Sequence, residues 1–329
     1  MRLVLLNTNG SYSHLIQYLG IKEALEQIKA EGKDPLFDFK EINICKQDVE
    51  VPLYDPDWVL VASPLAAGFR ALSRYQHRKV IVYDMEGLYE NLGWDSLPYS
   101  KIFATVDKYS SEWYKQQIAK KGLDCKVYHM PLGFSPIVYK FEDVPKQMKS
   151  DVCMAGVLFD RRRQVCEDLY PIHEKFDFRV ITAKDWVSRV IHKNAIKYLH
   201  GDVVSPADLN KYYCGAKIIL CVNRDYTPSN PLGVNSSTPG RVFQETACRR
   251  MVMIDDTRPE LNDYFVDGKE IVLFHDAQDL RDKVLYYLSH DEEREAIAHN
   301  GYIRTMKENT WKTRIEGLLK FVKECEANK

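Results

Sequence analysis

Short apolar runs recur along the chain, separated by longer stretches in which apolar and polar residues mix. The runs are nearly continuous in Val, Ile, Leu and Phe, a pattern that is typical of strands buried on both faces of a parallel sheet. The predicted strands cover 2–8, 39–44, 58–63, 79–84, 102–107 and 126–131, and then 151–157, 178–182, 217–223, 251–255 and 270–274.

Helix-length amphipathic segments separate these runs, for example 13–32, which ends at Gly32. Regular strand–helix alternation predicts an α/β fold with doubly wound sheets. The rhythm breaks at 131–151, where three prolines and no clean period indicate a domain junction. We therefore expect two Rossmann-like domains facing a central cleft. In such folds ligands bind at the carboxyl ends of strands, so the loops that follow the strands are where binding residues are expected.

Composition narrows the class of partner. The chain has 329 residues, enough for two domains, and 46 Lys and Arg residues against 47 Asp and Glu residues. This balance gives no global attraction to nucleic acid or to an anionic membrane. No run of 18 apolar residues is present, so no membrane span is expected, and the first apolar run is better explained as a strand than as a signal peptide.

The eight cysteines form no Cys-x-x-Cys pair, and several lie inside apolar runs, where a free cysteine packs as a small apolar residue. This usage indicates a reducing compartment and no zinc site, and it predicts a cytoplasmic protein. A second metal signature, Asp55 and Asp57 flanking a proline, is better explained as a turn before the strand at 58–63. No metal is expected.

Two familiar phosphate loops are missing. No Gly-x-Gly-x-x-Gly follows a strand, and no Gly-x4-Gly-Lys-Ser/Thr is present, which argues against a dinucleotide dehydrogenase and a P-loop enzyme. Gly156 ends a predicted strand just before a helix that begins near Arg161 and Arg163. Glycine permits a phosphate to approach the backbone, and arginines can neutralise it. The alternative is a solvated helix start, where cations are mildly unfavourable.

A second candidate anion site is "SSTPGR" at 236–241. Ser237 and Thr238 supply hydroxyls, and Gly240 and Arg241 open a predicted helix, where backbone N–H groups bind anions. One turn further on, Gln244 or Glu245 is placed to hydrogen-bond a ribose. From the residues alone, ordinary helix capping explains the stretch slightly better.

Other candidates follow the remaining strands. Asn223 ends the strand at 217–223, and Gly10 follows the first strand, where a ligand could approach the backbone. Asp84 and Glu86 follow the fourth strand as potential general bases or as groups that bind acceptor hydroxyls. Each of these carboxylates is equally suited to cap a helix.

One long stretch carries a family pattern. The pattern begins with Arg-x-Phe, followed by Ala-Cys and a strand that ends in Asp. A Phe-x-x-Gly-Lys-Glu turn comes next. The pattern then ends with Tyr-Leu-x-His-x-x-Glu-Arg and Asn-Gly-Tyr. The matching positions are Arg241, Phe243, Ala247, Cys248, Asp255, Phe265, Gly268, Lys269, Glu270, Tyr287, Leu288, His290, Glu293, Arg294, Asn300, Gly301 and Tyr302. The run 240–315 thereby resembles the C-terminal domain of CgeB-like glycosyltransferases, GT-B-fold proteins related to the family-4 retaining enzymes.

The preceding segment, 201–225, resembles the part of a GT-B donor domain in which a loop contacts the nucleotide base. The matching positions are Val203, Val204, Asp208, Leu209 and Tyr213. The family's ribose-binding glutamate falls on Gln244 when registered from Arg241 and Cys248, and on Glu245 when registered from Gly240, with Gln244 the favoured position. Arg249 replaces the family's glycine after the cysteine, and a serine at 236 or 237 stands in for the first glutamate of its Glu-x7-Glu motif.

The resemblance implies a metal-independent, retaining GT-B glycosyltransferase with a nucleotide-diphosphate sugar, by preference a UDP-sugar, as its donor. Residues 150–310 would hold the donor, with Arg161, Arg163 or Arg241 on the diphosphate. Residues 1–135 would present the acceptor, with the last helix, 311–329, packing back on them.

The acceptor is an unidentified protein or glycan, with a modified nucleic-acid base less favoured. Should the reaction invert, Glu86 or Asp84 would be the base. Two other classes stay open: a nucleotide-sugar epimerase or hydrolase, and a non-catalytic sugar-nucleotide binding protein, which the changes at Gln244 and Arg249 would suit.

Overall fold

A computed structural model describes residues 1–7, 12–43, 56–62, 79–85, 94–183, 191, 196, 198–200, 204–224 and 236–327. Four residues singled out from the sequence, Gly10, Asp55, Glu86 and Val203, lie outside the described residues.

The described strands form two parallel sheets. The first has the order β2-β1-β3-β4-β5-β6 and the second the order β12-β11-β10-β7-β8-β9. Their bounds are β1 Arg2–Asn7, β2 Asp38–Asn43, β3 Trp58–Ala62, β4 Lys79–Asp84, β5 Ile102–Thr105, β6 Lys126–His129, β7 Ser150–Ala155, β8 Phe178–Ile181, β9 Tyr198–His200, β10 Ala216–Cys221, β11 Met251–Asp255 and β12 Val272–Phe274.

Helices connect and cover these strands. The α-helices are α1 Tyr12–Glu31, α2 Lys108–Lys121, α3 Asp160–Leu169, α4 Pro206–Gly215, α5 Gly240–Ala247, α6 Leu261–Tyr264, α7 Ala277–Ser289, α8 Asp291–Glu308 and α9 Trp311–Ala327, and short 3-10 turns cover Trp94–Tyr99, Lys146–Met148 and Tyr170–Lys175. The predicted α/β class with two doubly wound, Rossmann-like sheets is confirmed. The prediction missed β9, because its sequence Tyr-Leu-His is not part of a continuous apolar run.

The chain divides into two compact units. Unit 1 consists of Met1–Gly133, Thr227–Ser237 and Trp311–Lys329, and unit 2 consists of Phe134–Tyr226 and Thr238–Thr310. In each unit the strands bury side chains on both faces. In β7, for example, Val152 and Met154 pack on one side of the sheet while Cys153 and Ala155 pack on the other. This two-sided burial explains why the strands are continuous apolar runs.

Helix α9 completes the core of unit 1. Its Trp311 and Ile315 pack in the same apolar cluster as Leu3 and Leu5 of β1. The Trp311 indole also contacts Tyr83 edge to face, with 6.2 Å between the ring centroids. Within the described ranges, no helix has the length and apolar character that crossing a bilayer would require.

The fit of α9 against α1 depends on a glycine. A Cβ atom added at Gly20 would lie 2.1 Å from Cδ1 of Trp311. We expect Gly20→Ala to lower the free energy of unfolding by about 2 kcal/mol, the usual size of an overpacking penalty. This outcome opposes intrinsic propensity, which favours alanine over glycine in a helix by about 1 kcal/mol.

Urea unfolding of the two single variants and the double variant Gly20→Ala/Trp311→Leu measures this coupling. Leucine removes the indole, so the alanine is then expected to be neutral or stabilising. An equal loss of stability in both backgrounds would show that the indole is not what confines Gly20.

Candidate functional site

The second sheet has a topological switch point between β7 and β10. Strand β7 pairs with β8 on one side and with β10 on the other. The chain therefore leaves these two neighbouring strands in opposite directions, and open α/β sheets bind ligands in the crevice that this creates at the carboxyl ends. Gly156 follows β7 and Asn223 lies two residues beyond β10.

Two arginine side chains converge on Gly156. Its φ of 115° is one that residues with a side chain rarely adopt. A Cβ atom there would lie 2.8 Å from Nη1 of Arg241 and 3.0 Å from Nη1 of Arg162. The backbone conformation therefore favours glycine, and a side chain here would also displace the two guanidinium groups.

Arg162 comes from the first turn of α3 and is only 6% exposed. Its Nε donates to the carbonyl oxygen of Val222 at 3.0 Å, and its Nη1 donates to that of Val157 at 2.8 Å. Burial, and then the positive charge of Arg241, lowers the pKa of Arg162 to about 9. The site thus holds a desolvated cation beside a second cation, an arrangement that a bound anion would stabilise.

Arg241 is the second residue of α5. Its Nη1 donates to the carbonyl oxygen of Ala155, the last residue of β7. One turn along the helix, the Glu245 carboxylate lies with Oε1 3.9 Å from Nε of Arg241. The guanidinium is therefore held between the end of a strand and a carboxylate.

Glu245 is fully buried. Burial raises the pKa of Glu245 to about 7, against the opposing effect of Arg241. Tyr213 and Cys221 are close enough to interact with the carboxylate, but neither carboxylate oxygen meets hydrogen-bond geometry with the described residues. Because Glu245 is only partly ionised near neutral pH, it does not fully compensate two arginines.

The start of α5 presents further polar groups. Thr238 is 3% exposed, and its Oγ1 has no hydrogen-bond partner within the described ranges. Ser237 precedes it and is half-buried, while Gly240 begins the helix and is buried. Gln244 retains 9% exposure whereas Glu245 retains none. Of the two ribose candidates, Gln244 therefore has the more accessible side chain and Glu245 faces the interior.

Asn223 connects the ends of two strands. Its Nδ2 donates to Oδ1 of Asp255 at 2.8 Å and to Oγ1 of Thr257 at 3.2 Å, and its backbone N–H donates to Oδ2 of Asp255 at 2.7 Å. Asn223 Oδ1 is buried and has no protein partner in the described part of the chain. The residue thus fixes the end of β10 to the end of β11 and keeps one acceptor unused.

The other predicted arginines point elsewhere. The Arg161 guanidinium lies over the ring of Phe274, 6.0 Å from its centroid, and Nη2 of Arg163 lies 3.8 Å from Oδ1 of Asp160. Val204 packs against the apolar cluster on one face of the sheet. From helix α3, the guanidinium that lies beside Gly156 is that of Arg162, a residue not predicted from the sequence. A signal for it exists: Arg162 shares its helix face with Val165, Cys166 and Leu169, which are all buried.

In unit 1, Asp84 ends β4 and is 2% exposed. Its Oδ2 accepts a hydrogen bond from the Tyr114 hydroxyl at 3.3 Å. Burial, reinforced by Asp84, raises the pKa of Tyr114, so that the hydroxyl remains a donor. Nearby, Asp107 accepts from Ser236 Oγ at 2.9 Å and caps α2 by accepting from the Ser110 N–H at 2.7 Å.

Across the described ranges, no group of three or more His, Cys, Asp and Glu side chains is arranged to hold a metal ion. Metal independence stays a prediction.

The chain is similar in sequence to known proteins. Residues 161–320 match the family model described as glycosyl transferase-like. The chain is 23% identical over 269 residues to spore protein CgeB of Bacillus subtilis (strain 168), covering 78% of this chain and 80% of that protein.

Solved structures share the fold. Sucrose-phosphate synthase from Thermosynechococcus elongatus superposes with a TM-score of 0.68 at 11% identity over all of both chains. HepE from Anabaena in complex with UDP and glucose gives 0.65 at 10% identity over 98% of this chain and 100% of that one. The pneumococcal O-GlcNAc transferase GtfA in complex with UDP and GlcNAc gives 0.56 at 14% identity, over 81% of this chain and 56% of that one.

The buried carboxyl group of Glu245 predicts a pH-dependent stability. Its pKa in the folded protein, about 7, lies above the ordinary value of 4.5. The loss of folding stability from burying this group is therefore absent below about pH 4.5, grows as the pH rises towards 7, and is complete above that. This difference corresponds to about 3 kcal/mol. Glu245→Gln removes the titration, and its melting temperature relative to the natural chain is expected to rise between pH 5 and pH 8.

Thermal unfolding across this range measures the difference between the two proteins. Glu292→Gln, which removes an exposed carboxylate from the first turn of α8, is the control. If the difference in melting temperature between Glu245→Gln and the natural chain does not change with pH, as expected for the control, Glu245 is not protonated in the folded protein over this range.

Proposed function

We propose that this chain, which has a GT-B fold and is similar to CgeB-like glycosyltransferases, binds a UDP-sugar in unit 2 and transfers the sugar to an acceptor. The observation that carries the proposal is the convergence of Arg162 and Arg241 on Gly156 at the switch point of the second sheet. A diphosphate placed against the Gly156 backbone would meet both guanidinium groups.

The charge of the site suits a leaving diphosphate. Cleavage of the sugar–phosphate bond places additional negative charge on the terminal phosphate of UDP. Guanidinium groups that are held in place, one buried and one partly buried, stabilise this charge without reorganising during the reaction. Arg162 and Arg241 are held by the backbone carbonyls of Val157, Val222 and Ala155. We assign the diphosphate to this pair and keep Arg161 and Arg163 as the competing assignment.

The remaining polar groups would bind the nucleoside. Gln244 is on the same helix as Arg241 and keeps an exposed edge, so we assign the ribose hydroxyls to Gln244, with Glu245 as the alternative. Thr238 Oγ1 and Asn223 Oδ1 are buried acceptors with no protein partner in the described ranges, and both lie beside elements that bound the switch point. Ser237, Gly240 and Val204 complete the proposed contacts, and Val204 would face the base.

UDP is the proposed nucleotide because two structures that share the fold, HepE and GtfA, contain it. We propose that the reaction retains the anomeric configuration, without a metal, in keeping with the family-4 resemblance. Asp84 and Glu86 are the proposed bases should it invert. The acceptor is a protein or a glycan before a nucleic-acid base, since the net charge of -1 attracts no polyanion. The proposed location is the cytoplasm.

The arginine pair predicts selective recognition of a diphosphate. Calorimetry with UDP, UMP, GDP, ADP and dTDP is expected to show UDP binding at least tenfold more tightly than UMP, a difference of about 1.4 kcal/mol. In Arg162→Gln and Arg241→Gln this preference is expected to disappear, because the second phosphate loses one of its two charged donors.

Arg161→Gln is the matched control, since it removes an arginine from the adjacent position on the same helix. It is expected to keep the UDP preference. Loss of the preference in Arg161→Gln or Arg163→Gln, with Arg162→Gln unaffected, would transfer the diphosphate to the arginines first predicted from the sequence. Failure of every nucleotide to bind the folded protein would refute the donor site.

Turnover separates the proposed reaction from its alternatives. Release of UDP from a bound UDP-sugar that requires an added acceptor is expected for a transferase. Release without any acceptor would indicate a hydrolase, conversion to a second UDP-sugar an epimerase, and binding with no chemistry a non-catalytic module. UDP affinity is expected to be unchanged by EDTA, and a drop of tenfold or more would overturn metal-independent binding.

A further inference from the structure

A second cavity opens in unit 2 at the opposite edge of the same sheet. It measures about 610 Å³, and its lining includes Ser150 and Asp151 at the amino end of β7 and Ala216 and Lys217 at that of β10. Gly156, at the other end of β7, is six residues away, roughly 20 Å along an extended strand. The cavity is therefore separate from the proposed donor site, and its volume is in the range of pockets that bind small molecules.

The lining is positively charged. It contains five basic side chains and three acidic ones. Lys217 pairs with Asp151 at 2.8 Å, and Arg294 pairs with Asp291 at 2.6 Å and lies 3.7 Å from Glu295. Lys146, Lys149 and Arg250 have no such ion pair with any described carboxylate. The cavity thus carries uncompensated positive charge.

Arg250 is held in place at the cavity wall. Its Nε donates to the carbonyl oxygen of Cys214 at 2.8 Å, and its guanidinium lies 5.3 Å from the ring centroid of Phe141. These contacts fix the plane of the guanidinium and leave its two terminal nitrogens available. A planar, fixed guanidinium is suited to binding phosphate oxygens.

A buried hydroxyl supplies an independent indication of a ligand. Ser150 lines the cavity, is only 7% exposed, and its Oγ has no hydrogen-bond partner among the described residues. Arg294 is 4% exposed and its Nε likewise lacks a partner there. Buried polar groups are normally hydrogen-bonded, so an unpaired hydroxyl and an unpaired N–H in one cavity indicate a missing partner.

We propose that this cavity binds a small phosphate-bearing metabolite, a sugar phosphate or a mononucleotide. The phosphate lies between Lys146, Lys149 and Arg250, and the Ser150 hydroxyl donates to one of its oxygens. The position at the amino ends of β7 and β10 makes it a second site in the unit that holds the donor, distinct from the site of transfer.

Calorimetry with the full chain and saturating UDP tests the proposal, using glucose 6-phosphate, AMP and citrate as probes. At least one of the two phosphates is expected to bind with sub-millimolar Kd. Lys146→Gln/Lys149→Gln is expected to weaken this binding at least tenfold and Ser150→Ala about threefold. Lys120→Gln/Lys121→Gln, which removes two exposed lysines from α2 in unit 1, is expected to leave it unchanged. Tighter binding of glucose 6-phosphate would identify the ligand as a sugar phosphate, and tighter binding of AMP would identify it as a mononucleotide.

Two outcomes would overturn the proposal: neither phosphate binds, whether or not citrate does, or the two cavity variants bind the phosphate as the natural chain does. Both cavity variants change side chains that make no hydrogen bond to the described residues, and an unchanged melting temperature verifies that they fold. The titrations are repeated without UDP in Arg241→Gln. Phosphate binding that survives there but is lost in Lys146→Gln/Lys149→Gln supports the cavity even if the donor site is refuted.

Discussion

The convergence of two guanidinium groups of like charge on one glycine is the constraint around which unit 2 is arranged. Arg162 and Arg241 come from different helices, and both reach the carboxyl end of β7 because Gly156 has no side chain to exclude them. Each is held by backbone carbonyls, which can partly solvate a cation without neutralising it. The protein thereby keeps positive charge in a place from which water is largely excluded.

Glu245 determines how much of that charge remains. A fully ionised carboxylate would cancel one arginine, and a fully protonated one would leave both uncompensated. Burial holds the pKa of this group to about 7, between these two limits. An incoming anion therefore competes with an internal carboxylate that is easily protonated, and binding of the anion would favour proton uptake by Glu245. In the proposed donor site, the charge of a bound anion would thus be linked to the protonation of Glu245.

The sequence was sufficient for the fold because burial on both faces of a strand leaves a local mark in each run of apolar residues. It also singled out Gly156 and Arg241, a residue after a strand end and a residue at a helix start that the structure brings together. It did not locate Arg162, although the spacing to Val165, Cys166 and Leu169 marks its face as the buried one. The arginines predicted instead, Arg161 and Arg163, are each rotated by about 100° from Arg162 about the helix axis. Composition does not reveal this difference in orientation.

The pairing of strands that are distant in sequence was the other feature that the sequence did not predict. The Asn223–Asp255 contact depends on β10 and β11 being neighbours, and no local pattern specifies that. Likewise, Gln244 and Glu245 are adjacent in sequence and differ only in which way the helix faces. These are differences of orientation rather than of residue type, and they decide which side chain a ligand would meet.

The division of unit 1 into separate stretches of chain has a consequence for its biosynthesis. Met1–Gly133 leaves the ribosome first, yet Trp311 and Ile315, which pack against β1, are translated after nearly all of unit 2. At typical elongation rates of about 5–20 residues per second, the delay between them is on the order of ten to forty seconds. Of the two units, the one whose synthesis begins earlier thus completes its core later, and until then the surface that α9 covers stays open.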